Sequence, residues 1–210
     1  MRGACDWCGR STAASVASDQ ASRPEDPSLR ELRGQYYEKN GLPPDGGEAQ
    51  RWVRATSGRI PLYFLNTAPR RRAVPYHDLH HVLTCYDTSS SGEAEISAWE
   101  LAAGTRPHWI AALLDLAGMA VGLFIAPRRT FRAFVRGRRC SSLYGQPLSE
   151  ALLASPAEPV RVRLGLDRAT PSGRARDVLA FAALGLAGLV TLVGFFVLAP
   201  LLLPVGLLMQ

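Results

Sequence analysis

The residue types best suited to bind a metal ion cluster in the segment 77–81 (HDLHH), and one further acid, Glu93, follows after eleven residues. Imidazole nitrogens and carboxylate oxygens bind Zn²⁺, and also Fe²⁺ or Mn²⁺, and the absence of a thiolate makes such a set less specific for zinc. The segment therefore predicts a site for one divalent metal ion. The alternative interpretation is a pair of helix-capping histidines beside solvated acids.

A helix must position the histidines. The sequence predicts this helix from Pro75 to Tyr86, because proline suits a helix start and apolar residues then continue along one face. His77 and His81 are four residues apart and share one face, whereas Asp78 lies about 100° round the helix from His77. The three side chains can thus contribute to one ligand set.

A second helix must bring the remaining acid to the histidines. The polar segment 87–92 (DTSSSG) has turn chemistry, and the helix is expected to begin with Ser91 or Gly92 near its cap. If it returns antiparallel to the first helix, Glu93 lies over the histidines. Glu100 is seven residues further on and so on the same side. It is either a residue that orients a ligand histidine or a surface acid.

The motif His77-Asp78-x-x-His81-x(11)-Glu93 resembles the metal-binding signature of the Coq4 family of ubiquinone-biosynthesis proteins. Segments 65–67 (LNT), 93–100 with its tryptophan, 134–144 (FVRGRRCSSLY) and 161–166 (RVRLGL) are also similar to the family, so that the resemblance covers about Leu29 to Asp167. It implies that His77, Asp78, His81 and Glu93 are the ligands of one divalent metal ion, zinc by family resemblance, with iron or manganese as alternatives.

The resemblance also implies a fold and an activity. The expected fold is all-α, a multi-helix Coq4-like domain, and a C-terminal transmembrane segment that the resemblance does not cover is expected to follow it. The expected activity is removal of the carboxyl group of a polyprenylated hydroxybenzoate, coupled to ring hydroxylation, in a metal-dependent decarboxylase. Besides the metal ligands, His80 and Glu100 are the candidate catalytic residues, with His80 as a proton shuttle or merely a neighbour of the site.

Two other functions stay open. A membrane-anchored scaffold or prenyl-lipid-binding protein would use the metal for its fold and organise other quinone-biosynthesis proteins. A metal-dependent hydrolase of the His-Asp type would need further ligands, yet His108 is the one histidine left outside the motif.

Charge and composition narrow the class of partner. The chain has 210 residues, 47% of them hydrophobic, and a net charge of +6 that comes almost wholly from arginine. A basic balance fits nucleic acid or an anionic membrane surface. Since no aromatic residues interleave a basic groove, we expect no nucleic-acid partner. The expected partners are a membrane and a prenylated quinone precursor.

The chain outside the motif predicts mainly helices. Residues 1–27, which include a Cys5–Cys8 pair, are expected to be a disordered arm. A helix is predicted from Leu29 until Asn40-Gly41 and the prolines after it stop it, and another from Glu48 to Thr56, whereas Ile60 to Leu65 is either extended or helical.

Two further helices follow the metal motif in the sequence. The apolar segment 108–126 contains one acid, Asp115, and predicts a buried or lipid-facing helix, a candidate wall for an isoprenoid tail. The next segment, from Pro127 to Arg139, alternates a stripe of arginines with an apolar stripe, which is typical of helices that bind membrane surfaces.

The C-terminal end predicts membrane anchoring. A linker is expected at 168–177 and an anchor at 178–210, because Val178 to Met209 carries no charge and exceeds the roughly 20 residues that span a bilayer. Arginines just before the segment place the domain on the cytoplasmic face of a bacterial inner membrane. Whether the anchor is a single span or a hairpin stays open.

Overall fold

The computed structural model describes residues 26–57 and 60–208 of the chain. Within these residues the chain forms eight helices and one hairpin of two strands. The prediction of a mainly helical protein is confirmed, and the hairpin is its one departure within the described ranges. Nearly all of the expected N-terminal arm, with the Cys5–Cys8 pair, lies outside the described residues.

Helix α1 (Leu29–Lys39) confirms the predicted bounds and is fixed at its start by a capping box. The Ser28 side chain accepts from the Glu31 backbone N–H, and the Glu31 carboxylate accepts from the Ser28 backbone N–H. The helix buries Leu29, Leu32 and two tyrosines, which form part of the main core.

The segment after α1 differs from the prediction. Instead of a helix over 48–56, strand β1 (Trp52–Ser57) pairs antiparallel with strand β2 (Ile60–Leu65), with Trp52 opposite Leu65. The turn before β1 is held by the buried Asn66, whose amide donates to the carbonyls of Gly47, Glu48 and Gln50. The extended alternative for Ile60 to Leu65 is correct.

Helix α2 (Ala68–Thr84) carries the histidine motif and begins earlier than expected. Thr67 is its N-cap, and Pro69 occupies the first helical turn. The predicted start at Pro75 is wrong because this proline lies inside the helix, buried in the core. The start signal belongs to Pro69, where the missing N–H is not needed by the helix.

Helix α3 (Ser90–Ala103) carries the acids and packs against the next two helices, α4 (Trp109–Ile125) and α5 (Pro127–Gly137). Its N-cap is Ser89, two or three residues before the predicted cap, and the Ser89 hydroxyl accepts from the Gly92 N–H. Gly92 lies so close to the Asp87 carbonyl that any side chain there would collide with it. This close approach keeps the turn between α2 and α3 short.

The remaining core joins α1 and α2 to the C-terminal part of the domain. Helices α6 (Glu150–Leu153) and α7 (Ala157–Leu164) contribute buried leucines and Val160, and the loop before them contributes Leu143 and Tyr144. A smaller cluster of Ala98, Met119 and Phe134 joins α3, α4 and α5.

Helix α8 (Ala175–Leu208) begins inside the expected linker and passes through both of its prolines without ending. It is long and apolar enough to cross a membrane over Ala175–Val197, where the mean hydropathy is 2.4 and 11% of an 18-residue window is buried. Rather than leaving the domain, α8 lies against α4.

Candidate metal centre

Potential ligand atoms of three side chains converge between α2 and α3. The Nε2 atoms of His77 and His81 are 3.2 Å apart. The two Glu93 carboxylate oxygens lie 3.5 Å from His77 Nε2 and 3.4 Å from His81 Nε2. The expected return of Glu93 over both rings is confirmed, and these three side chains form a group that can hold a metal ion.

The other nitrogen of each ring fixes which atom is free to bind. His81 Nδ1 lies 3.0 Å from the backbone carbonyl of Tyr86, which can only accept, so Nδ1 must donate. His77 Nδ1 lies 3.1 Å from the Glu100 carboxylate and donates in the same way. In their neutral forms, both histidines therefore direct an unprotonated Nε2 at each other and at Glu93.

Converging acceptors repel each other unless a positive charge lies between them. Donor atoms around one zinc ion at about 2.0–2.1 Å lie about 3.3–3.4 Å apart in a tetrahedron. The two Nε2 atoms are 3.2 Å apart, and each lies 3.4–3.5 Å from one oxygen of Glu93, which is close to that spacing. Two imidazole nitrogens and one carboxylate are also a donor set that suits zinc, iron or manganese.

Without a metal, a proton supplies the positive charge. Burial lowers the pKa of His77, but the carboxylates of Glu100 and Glu93 outweigh it and raise that pKa well above its ordinary value. Burial raises the pKa of Glu93, but hydrogen bonds from His77 and His81 outweigh it and hold that pKa below its ordinary value. A metal ion must therefore displace a proton from His77.

Glu100 is the central acceptor of a buried hydrogen-bond network on the Nδ1 side of His77. Its Oε2 lies 3.1 Å from His77 Nδ1 and accepts from the Tyr144 hydroxyl at 3.0 Å, and its Oε1 lies 2.5 Å from His80 Nδ1. Burial raises the pKa of Glu100, but the two histidines outweigh it and hold that pKa well below its ordinary value. The carboxylate thus orients His77 from behind, and the surface-acid alternative does not hold because Glu100 is 0% exposed.

His80 has no open nitrogen. The backbone N–H of Leu143 donates to its Nε2 at 2.9 Å, so its Nδ1 carries the proton that binds Glu100. Burial lowers the pKa of His80 against the opposing effect of the hydrogen bond that its Nδ1 donates to Glu100. A neutral, fully buried ring with both nitrogens engaged favours a positioning role for His80 over a proton shuttle.

Asp115 reaches the same network from α4. One ligand atom from each of His77, Glu100 and Asp115 lies within 4.8 Å of the others. Burial and the charge of Glu100 raise the pKa of Asp115 well above its ordinary value, so it holds a proton beside Glu100. Its Oδ2 has no hydrogen-bond partner within the described part of the chain.

Asp78 points to another part of the core. It is buried and accepts from the Tyr37 hydroxyl at 3.0 Å. Burial raises its pKa, against the charge of His77 and the Tyr37 hydrogen bond. Neither group of candidate ligands among the described residues includes Asp78. As a metal ligand, Asp78 stays a prediction that this geometry does not support.

The site opens to solvent on the side of α3. The Glu93 side chain is 45% exposed and that of His77 26%, whereas the His81 side chain is 0% exposed and its ring stacks on Tyr36 at 5.6 Å. Three protein ligands with an open side are typical of catalytic metal sites, where a fourth position takes water or substrate.

Two surface grooves of about 290 and 270 Å³ lie elsewhere, and neither is lined by a member of this group. One lies beside α5 and the loop before α8, and the other beside α6.

Sequence reasoning missed two members of the network. Asp115 was visible as a single acid within an apolar helix, a pattern that indicates a polar partner, but its partner could not be identified without the fold. Tyr144 had no local signal. Its hydroxyl reaches Glu100 because the loop after α5 returns over α2, which is a long-range feature.

None of the protein-family models, curated proteins or solved structures compared with this chain matches it. The family resemblance therefore rests on the motif and its neighbouring segments, and the metal group rests on the geometry of the described residues.

Proposed function

We propose that the protein binds one divalent metal ion between His77, His81 and Glu93 and acts in the biosynthesis of a prenylated quinone, as the resemblance to the Coq4 family implies. The observation that carries the metal site is the convergence of the two histidine Nε2 atoms and the Glu93 carboxylate at 3.2–3.5 Å. An acceptor at Nδ1 orients each ring so that Nε2 faces the site. This acceptor is the Glu100 carboxylate for His77 and the Tyr86 carbonyl for His81.

The substrate class proposed is a polyprenylated hydroxybenzoate. The ring carboxyl group leaves as CO₂ and a hydroxyl group takes its place, a two-electron oxidation in which water supplies the hydroxyl oxygen and dioxygen from solution is reduced to hydrogen peroxide. A bound metal would supply a Lewis acid for the substrate carboxylate. The chain's own residues hold the ligands in place: Glu100 fixes the tautomer of His77, and His80 and Tyr144 fix Glu100. The open side at Glu93 leaves room for the substrate carboxylate.

The second candidate is a non-catalytic scaffold or prenyl-lipid-binding protein that organises other quinone-biosynthesis proteins. It is the alternative that the sequence leaves open, and it is compatible with the position of the two described grooves, neither of which adjoins the metal group. In this case the metal would stabilise the fold between α2 and α3 without contacting a substrate.

The experiment that separates the candidates uses His81→Ala and Glu93→Ala in the native host. Folding and membrane localisation are first confirmed for each variant, and His108→Gln serves as a histidine control outside the metal group. Accumulation of a carboxylated quinone precursor with a folded, metal-free variant supports catalysis. Normal quinone output from the metal-free variant supports the scaffold, and natively purified protein without any metal contradicts both.

A further inference from the structure

An exposed apolar face runs along α4 and α8 without a partner in the described part of the chain. On α4 it comprises Val121, Phe124 and Ile125, and Phe124 is 72% exposed. On α8 the exposed large apolar side chains are Val178, Leu179, Leu186, Val190, Val193, Phe196 and Val197. Exposed large apolar side chains in this number on two packed helices require an apolar environment or a partner.

The two helices form one packed unit. Gly188 approaches the backbone carbonyl of Leu116, and Gly185 approaches the side chain of Leu123, so the helices run antiparallel. A Cβ at Gly188 would collide with that carbonyl. Close backbone contact through small residues is how helices pair in lipid, where apolar burial gives no preference for protein over solvent. Ring contacts of Phe181 with Phe131 and Phe134 fix the start of α8 on α5.

Positive charge is concentrated at one end of this face. Where α4 ends and α8 begins, the exposed arginines include Arg128, Arg132, Arg174 and Arg176. The groove of about 290 Å³ at this end is lined by Arg132 and the loop 170–173. The apolar face thus ends in a cationic rim, which is complementary to the anionic headgroups that border the hydrocarbon of a membrane.

We propose that the outer faces of α4 and α8 together contact the acyl chains of a lipid bilayer, with the arginine end at anionic headgroups. A tail anchor that merely tethers the domain would leave α4 in water, but α8 lies along α4 instead of extending away from it. The 34 residues of α8 are about 51 Å long, against about 25 Å for the 17 residues of α4. α4 therefore covers only part of α8, and lipid is the environment that suits the rest.

One consequence, which rests on the proposed function, concerns the substrate. Asp115, on the face of α4 that turns away from lipid, belongs to the same group as Glu100 and His77. A single helix, about 10 Å wide, then separates the metal centre from the acyl chains. A prenylated ring could reach the centre while its tail stays in the bilayer. The membrane contact itself does not depend on the metal.

Photo-crosslinking tests this proposal on the full chain reconstituted in vesicles of phosphatidylcholine and phosphatidylglycerol. The photoreactive residue p-benzoylphenylalanine is placed singly at Phe124 on α4, at Leu186 on α8 and at Glu38, an exposed position on α1. Ile125 provides a second α4 position should the Phe124 variant fail to fold. Circular dichroism and zinc content of each variant report folding and the metal site separately.

We expect lipid adducts at Phe124 and Leu186 in yields within about twofold of each other, because both positions face the same acyl chains, and none at Glu38. Adducts at Leu186 but not on α4 would overturn the proposal, since α8 would then leave the domain to anchor it. Crosslinks from Phe124 to a second copy of the chain would also overturn it. Failure of zinc binding with intact lipid adducts would instead count against the proposed function alone.

Discussion

The two faces of α4 have opposite chemistry. The face toward α2 and α3 carries Asp115, which is 3% exposed and meets Glu100 and His77. The other face carries Phe124, 72% exposed, beside the apolar surface of α8. A polar group thus lies where apolar core is usual, and apolar groups lie where water is usual. The two exceptions are accommodated differently: Asp115 holds a proton beside Glu100, whereas the exposed apolar side chains are those for which we propose a lipid environment.

The two faces of α4 should also differ in how well they tolerate substitution. The polar side is held by hydrogen bonds of defined direction, so that changing one member leaves its partners unsatisfied. The apolar side is stabilised by packing and by its surroundings, neither of which has a defined direction. It therefore tolerates exchange of one apolar side chain for another. Substitutions on the inner face should therefore have much larger effects than substitutions on the outer face.

The largest effect is expected for Glu100→Ala. The substitution leaves His77 Nδ1, His80 Nδ1 and the Tyr144 hydroxyl without their acceptor in a fully buried site. Breaking a buried charged network in this way costs about 3–5 kcal/mol. Urea unfolding should show this loss, with Glu38→Gln as an unchanged exposed control. A loss similar to that of the control would mean that Glu100 does not organise the inner face.

The second prediction distinguishes the two candidate carboxylates of the metal centre. Glu93→Gln should weaken zinc binding by about 100-fold or more, because a ligand is removed from a set of three, whereas Asp78→Asn should weaken it by less than about tenfold. Competition with a chromophoric chelator measures both. A larger effect of Asp78→Asn would restore the four-ligand set implied by the family resemblance and contradict the geometry in which Asp78 binds Tyr37.

These two predictions show what the sequence could and could not provide. The spacing of His77, His81 and Glu93 follows from helical periodicity and one short turn, so their meeting was predictable. Asp78 was included because its backbone position lies beside the same face, but the side chain of Tyr37, 41 residues away, binds it instead. Partners distant in sequence decide such cases.

The secondary-structure prediction failed at two places for a similar reason. The segment 48–56 has helix-forming residues, but the pairing of β1 with β2 outweighs that propensity. At α2, two prolines six residues apart gave competing start signals, and only the packing of Pro75 into the core shows that Pro69 is the first-turn proline. The apolar periodicity of α4 and α8 revealed helices, but not that they pair.

A third prediction uses the pH dependence of metal binding. His77 has a pKa raised above its ordinary value, so below that pKa zinc must displace one proton when it binds. Zinc affinity should therefore fall by about tenfold for each unit that the pH is lowered between about pH 7 and pH 5. Glu93 has a lowered pKa and stays ionised there, so it adds no further slope.

Isothermal titration in buffers of different ionisation enthalpy measures both the affinity and the number of protons released. Zinc binding that is independent of pH, with no proton released, would contradict the assignment of His77 Nε2 as a ligand.

The smallest effect is expected on the outer face. Phe124→Glu in vesicles should lower the free energy of unfolding by about 1 kcal/mol, because a glutamate near the border of the hydrocarbon is disfavoured. The same change at Leu42, an exposed apolar residue outside this face, serves as the matched control. Thermal unfolding in vesicles measures both effects. Equal losses at the two positions would show that α4 is not in contact with lipid.

X-ray absorption at the zinc edge of the natively purified, zinc-loaded protein tests the metal centre most directly. We predict one zinc ion per chain, bound by two imidazole nitrogens at about 2.0–2.1 Å and by one carboxylate at about 2.0–2.2 Å, with a further light-atom ligand from solvent. In His81→Ala one of the two imidazole contributions should be lost. Zinc bound without two imidazoles, or an unchanged spectrum in His81→Ala, would contradict the centre formed by His77, His81 and Glu93.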